Sequence, residues 1–294
     1  VAQSVRPVLK KIRSRAAREY ARARDAAGIG PHDFAWKVRQ RMRHDRRPLL
    51  VELQDKLGGK RYASERGASV AELFFEADRA SDLPFSSLPD ECLIKVNHGA
   101  AWNVLHRNGR FIPFADGRRL LGDGSDRSLD REQCIELCDQ WLASRYSRAQ
   151  WAYSQIPPKV YVEELLHPRD PSLGLVDLRC FTFDGAVKVL EHDSPARSKD
   201  QLLLMSPEWV KHELPNPAPL TPARPPFLDE ALELAGRLGN GIDFVRVDLF
   251  DTSRGWVLAE LSMYPDGGAM NSPSLSRTFN QWLADQWTLP DWST

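Results

Sequence analysis

Two late segments bring together residue types able to do chemistry. In FVRVDLF (244–250), Arg246 and Asp248 are two apart; in WVLAELS (256–262), so are Glu260 and Ser262. On strands, alternate residues share a face. A hairpin pairing these runs puts one guanidinium, two carboxylates and a hydroxyl on a single surface, with Val245, Val247, Leu249 and Leu258 facing a core. That set is rich in oxygen and contains no histidine. Magnesium prefers such donors, often together with phosphate oxygens. A surface hairpin showing polar side chains to water is the alternative, but an arginine inside an apolar strand is costly unless paired.

A second candidate is Lys95 in IKVNHGAAWN (94–103). It interrupts an apolar strand just before a turn of small residues around Gly99. Such a turn lets backbone N–H groups approach phosphate oxygens while the lysine supplies a point charge. A solvated strand lysine would look the same, and His98 reads equally as a ligand contact or a satisfied turn histidine. Glu163 and Glu164 end the apolar run VYVEEL (160–165). As neighbours on a strand they point opposite ways, one to a cleft and one to solvent, which argues against a glycosidase-type pair.

The elements that must position these groups are readable in outline. Helices are expected over 8–27, 33–42, 48–57 (closed by Gly58-Gly59), 69–80 (Ser69 and Glu72 as reciprocal caps), 129–146, 227–238 and 279–287. Strands are expected over 91–96, 102–106, 160–165, 175–183, 186–190, 244–250 and 256–261. Asp184-Gly185 is the strongest hairpin signal, and Gly109 and Gly117 mark further turns. Residues 192–226 read as irregular and linker-like. The order gives an α+β fold in which antiparallel hairpins and helices share a cleft. Neither a GxGxxG nor a P-loop string occurs, so neither a Rossmann cofactor site nor a P-loop is supported.

With 294 residues, 42% hydrophobic and 27% charged, the chain suits one large domain or two packed lobes. No apolar run is long enough for a membrane span, and residues 1–15 lack the apolar core of a secretory signal. Four cysteines without a CxxC pair read as reduced, buried thiols of a cytoplasmic protein, not a zinc site. Net charge is zero but uneven: residues 1–50 hold fourteen Lys/Arg against four Asp/Glu. This basic lead either meets an anionic partner or packs on a more acidic body. No interleaved aromatics or zinc-finger spacing points to nucleic acid.

In combination these motifs resemble the ATP-grasp superfamily, most closely its TupA-like branch, associated with teichuronopeptide and other cell-surface polysaccharide synthesis. The resemblance runs from about Arg46 to the C-terminus. It rests on IKVNHGAAWNV (94–104), KVYVEELL (159–166), DLRCFTFDGAV (177–187) and FVRVDLF…WVLAELSMYPDGG (244–268). It implies two α+β lobes with ATP and Mg²⁺ between them. A basic helical segment (1–47) would precede a first lobe (48–158) and a second lobe (159–294). Lys95 and, upstream, Lys56 are similar to the lysines that hold ATP phosphates. His98, Gly99, Ala100 and Trp102 resemble the phosphate cover, and Glu163, Glu164 and Leu165 the adenine hinge. Asp248 and Glu260 match metal ligands, and Ser262 stands where many members place asparagine. Arg246 resembles the arginine that steadies transferred phosphate; Arg179 and Arg197 are further phosphate or acceptor contacts. The implied activity is a carboxylate–amine ligase acting through an acyl phosphate on a sugar-acid, amino-acid or peptide acceptor. A phosphotransferase acting on a hydroxyl of a sugar or other acceptor with the same ATP site is the alternative.

Overall fold

A computed structural model describes residues 33–114, 128–194, 203–213, 221–268 and 277–292. The expected helix at 8–27, the turn at Gly117, Arg197 and part of the expected linker lie outside the described residues. Two five-stranded antiparallel sheets carry the fold. The first contains β1 (Leu73–Ala77), β2 (Glu91–Val96), β3 (Asn103–Arg107), β4 (Arg110–Phe114) and β5 (Val160–Glu164), in the order β1-β5-β2-β3-β4. The second contains β6 (Val176–Phe183), β7 (Ala186–Asp193), β8 (Leu204–Met205), β9 (Val245–Thr252) and β10 (Gly255–Ser262), in the order β10-β9-β6-β7-β8.

The helices are α1 (Phe34–His44), α2 (Pro48–Gln54), α3 (Lys56–Ser64), α4 (Arg131–Leu142), α5 (Leu228–Gly239) and α6 (Arg277–Asp285). Helix α4 opens on a capping box in which Asp130 and Gln133 bond reciprocally. Its buried Cys134 and Cys138 pack with Cys92, Ile94, Val104 and Val162 on one face of the first sheet. All four thiols are free and buried. The second sheet is covered by a larger core to which α1, α2, α3 and α5 each contribute, through Phe34 and Val38, Leu50 and Leu53, Tyr62 and Ala63, and Leu228 to Leu238. Asp184 and Gly185 both take positive φ, as the Asp-Gly hairpin signal requires.

Within residues 33–47 the basic segment packs on the second sheet. The fully buried Arg41 guanidinium bonds to Asp243 at 2.5 Å and to the Phe244 carbonyl at 2.7 Å. It also lies 4.4 Å from the Trp287 ring centroid. Lys37 reaches the carbonyls of Ala284 and Trp287 at the end of α6, where a cation complements the helix dipole.

Two expected elements differ. The helix expected over 69–80 is instead strand β1, with Leu73 paired to Glu163 and Ala77 to Val160. Pairing with β5 outweighs the local capping signal, and Glu72 N–H donates to the Glu164 carboxylate rather than closing a helical cap. The single helix expected over 48–57 is broken at Asp55, which is extended and caps a new helix by accepting from Leu57 N–H. Gly58 and Gly59 therefore lie inside α3 rather than after its end. A side chain at Gly58 would place Cβ 2.4 Å from the Glu52 carbonyl oxygen.

Candidate functional site

Strict alternation along β10 would put Leu258 and Glu260 on one face, yet they face opposite ways. Leu258 pairs with Leu249 and lies in the core, and then the register shifts, so that Glu260 pairs with Asp248 and Ser262 with Arg246. This bulge at Ala259 gathers Arg246, Asp248, Glu260 and Ser262 on the polar face. Arg246 grips Asp248 with two bonds, Nε–Oδ1 at 2.8 Å and Nη2–Oδ2 at 2.6 Å. Its Nη2 is also 3.8 Å from Glu260. Burial and the nearby Glu260 raise the Asp248 pKa against the pull of Arg246.

Helix α3 supplies the next charge. Lys56, in its first turn, bonds Glu260 Oε2 at 2.8 Å. The Lys56 ammonium holds the Glu260 carboxyl down at about 2. Lys60, one turn on, bonds Glu163 Oε2 at 2.7 Å, while Lys95 bonds Glu163 Oε1 at 2.6 Å. Glu163 on β5 and Lys95 on β2 thus meet on the face of the first sheet that looks toward the second. Burial alone would raise Glu163, but the two ammoniums bring its pKa to about 2. Burial and the neighbouring lysines lower that of Lys95 despite Glu163.

Beside this charged cluster the same face of the first sheet is apolar. Leu93, Leu105, Phe114 and Leu165 are buried together, with Ile112 against them. Glu164 takes the opposite face and pairs with Arg254 at 2.8 Å. The turn after β2 is tightly packed: a Cβ on Gly99 would fall 2.3 Å from Trp102 Cε3, and Ala101 takes φ 64°. Trp102 stacks on Trp141 and meets Tyr146 and His98 edge-on. His98 Nε2 lies 3.3 Å from the Ser144 carbonyl, Nδ1 lies 3.4 Å from Asn97 Oδ1, and burial lowers its pKa. Ala100 is half-buried in the same turn.

Arg179 lies opposite both Asp248 and Glu191 in register. Its three nitrogens bond Asp177 (2.8 Å), Glu191 (2.9 Å) and Asp193 (3.0 Å). Burial and the adjacent Asp248 push Asp177 up to about 7 against the pull of Arg179, and its Oδ1 is buried without a hydrogen-bond partner.

The structure therefore gathers Lys56, Lys95, Glu163, Arg246, Asp248, Glu260 and Ser262, with Arg179 one strand away, and turns Glu164 outward. Sequence reasoning passed over Lys60, the carboxylates around Arg179 and the apolar floor. Lys60 was legible as the residue one helical turn from Lys56. Glu191 was not, because a bulge between Phe181 and Thr182 shifts it opposite Arg179.

The sequence profile of the TupA-like ATP-grasp family matches residues 36–288. The chain belongs to that family. Among solved structures the chain is similar, at low identity, to several ATP-grasp enzymes. The ligase PsnB with a minimal precursor is 14% identical, covering 81% of this chain and 62% of that one, at a TM-score of 0.40. N5-carboxyaminoimidazole synthetase from Staphylococcus aureus with ADP is 15% identical, covering 82% and 53%, at 0.45. D-alanine–D-alanine ligase from Bacillus anthracis with ATP is 12% identical, covering 81% and 65%, at 0.40. This TupA-like chain thus spans less than two thirds of the length of each. A comparison with curated proteins finds no match. Among the described residues, no helix is long and apolar enough to cross a membrane.

The oxygen donors of this TupA-like site suit magnesium in type. Among the described residues no three His, Cys, Asp or Glu side chains converge to hold a metal. Asp248 and Glu260, side by side, offer two carboxylates, which is how Mg²⁺ is held when substrate phosphates and waters complete its shell.

Proposed function

We propose that this chain is an ATP- and magnesium-dependent ligase that joins a carboxylate to an amine, on a small-molecule, glycan or peptide acceptor in surface-polymer or natural-product synthesis. The observation that carries the reading is the meeting of two charged sheet faces. Lys95 and Glu163 come from the first, Arg246, Asp248 and Glu260 from the second, and Lys56 stands between them.

In this reading Leu93, Leu105, Phe114 and Leu165 form the apolar bed for adenine, with the Glu163–Leu165 backbone at its edge. Lys56 and Lys95 hold phosphate oxygens. Asp248 and Glu260 would hold Mg²⁺, with Ser262 beside them. When bound, the metal neutralises phosphate charge during transfer. Arg246, oriented by its two bonds to Asp248, steadies the negative charge of the group in transit. A carboxylate oxygen of the acceptor takes the γ-phosphoryl group and ADP leaves. The amine then attacks the acyl carbon, the C–O bond to phosphate breaks, and phosphate departs with the electron pair as the nitrogen loses a proton. No protein nucleophile is needed.

The test is incubation with ATP, Mg²⁺ and panels of acid–amine pairs, following ADP, free phosphate and amide. The expected result is equimolar ADP, phosphate and amide. ADP accompanied by a stable phosphoester, without free phosphate, would overturn it and leave a phosphotransferase.

A further inference from the structure

Gln54 closes helix α2 and is buried, and the two ends of its amide are committed in an order that cannot be reversed. The Met263 N–H, just past β10, donates to Gln54 Oε1 at 3.2 Å. A backbone N–H can only donate, so the amide must turn its oxygen to Met263 and its NH₂ the other way. There Gln54 Nε2 donates to the Tyr153 hydroxyl at 2.7 Å. Tyr153 therefore accepts through a lone pair, and its own hydrogen has to point elsewhere. Among the described residues nothing accepts that hydrogen. Tyr153 is only 9% exposed, so the spare donor is held back from bulk water.

The surroundings of the phenol put this donor at the metal end of the cleft. Tyr153 lies in the short 3₁₀ turn Trp151–Ser154. Its ring packs 4.6 Å from that of Tyr146, which in turn meets Trp102, in the turn after β2, at 5.5 Å. The apolar bed of Leu93, Leu105, Phe114 and Leu165 is a separate cluster. The charged side chains acting on the phenol are Lys56 and Glu260. Burial pushes its pKa up against the opposing pull of Lys56, so Tyr153 stays a protonated donor at neutral pH.

We propose that Tyr153 is a catalytic residue on the acceptor side of this site, with Gln54 as the positioning residue that aims it. Its O–H binds the oxygen of the acceptor carboxylate that is not phosphorylated, and then the oxyanion which that oxygen becomes. The inference rests on the ligase reading given above and adds an acceptor contact to it. When the amine attacks the acyl carbon, the C=O electron pair moves onto this oxygen, and Tyr153 donates to it without giving up its proton. The pair returns as the C–O bond to phosphate breaks. Phosphate leaves with the bonding electrons, and the proton shed by nitrogen passes to water. A donor already fixed by Gln54 meets this charge where it develops and needs no reorganisation.

The experiment compares the wild-type chain, Tyr153→Phe and Gln54→Glu on the acid–amine pair that gives most amide in the panel above, reading kcat and the KM for ATP. Tyr153→Phe keeps the ring and should lose at least about thirtyfold in kcat, with the KM for ATP within about twofold, as when one oxyanion donor is removed. Gln54→Glu keeps a bond to the hydroxyl but reverses it. The new carboxylate accepts from both the Met263 N–H and the Tyr153 O–H, which turns the donor out of the cleft, so kcat should fall comparably. A smaller fall in Tyr153→Phe, or one carried by the KM for ATP instead of kcat, would overturn the proposal. Wild-type turnover in Gln54→Glu would overturn it too, because the donor would then work without the aim assigned to it. Should one variant fail to fold, the other decides. A wild-type chain that turns over no pair removes the ligase reading and the Tyr153 role with it, a result distinct from an active wild type matched by Tyr153→Phe.

Discussion

Glu163 is 5% exposed and lies between the ammoniums of Lys60 and Lys95. An ordinary glutamate has a pKa near 4.3, whereas this one is held at about 2. Its folded pKa is depressed, so the stabilisation is fully present above about pH 4.3 and is lost as pH falls toward 2. The difference in unfolding free energy between wild type and Glu163→Gln should therefore shrink across that window, by up to about 3 kcal/mol. Denaturant midpoints at pH 6, 4, 3 and 2 measure it; a difference independent of pH would refute the pairing. Such partners were only half legible in the sequence. Lys95 and Glu163 each stood out by interrupting an apolar strand. Their contact depends on β2 and β5 lying side by side with Lys95 opposite Tyr161 and Leu93 opposite Glu163, a pairing across more than sixty residues.

At the scale of elements, the residue pattern located β2, β5 and the hairpins β6–β7 and β9–β10, because each is an apolar or alternating run or turns on a strong local signal. It failed over 69–80, where Ser69 and Glu72 imitate a helix start while LFFEA has the bulk and β-propensity of a sheet edge. It could not locate the bulges at Ala259 and near Phe181, since an extra residue in a strand leaves no mark of its own in composition. Those two irregularities set Glu260 beside Asp248 and Glu191 opposite Arg179. The break at Asp55 is a further case: Asp55 caps α3 and also accepts from Asn97 Nδ2 at 3.0 Å, a contact from the first sheet. This tight junction makes Gly58 indispensable. Alanine normally improves a helix interior by about 1 kcal/mol over glycine. Here its Cβ would meet the Glu52 carbonyl oxygen at 2.4 Å, so Gly58→Ala should instead cost about 1–3 kcal/mol. A melting temperature that rises in this variant would contradict the close approach.

For the whole molecule, the two sheets are joined at the base of the cleft by a few specific contacts. Lys56 N–H donates to the Asn97 carbonyl, Leu258 N–H to the Ser69 carbonyl, and Arg254 reaches across to Glu164. Helices α2 and α3 give their apolar faces to the core of the second sheet while their junction, at Asp55 and Lys56, holds the turn after β2. Lys56 and Lys60 are thereby fixed between the sheets, where a ligand touching both faces would bind. Such a ligand stabilises the fold by mass action, about 2.7 kcal/mol at a hundred times its dissociation constant. The central claim, that these opposed faces form one MgATP site, is tested most directly by titrating ATP into wild type, Lys95→Met and Asp248→Asn, with and without Mg²⁺. Wild type should bind ATP more tightly with Mg²⁺ than without. Lys95→Met should bind at least about tenfold more weakly, and Asp248→Asn should lose the magnesium dependence. Equal affinity in all three proteins, indifferent to Mg²⁺, would contradict the account.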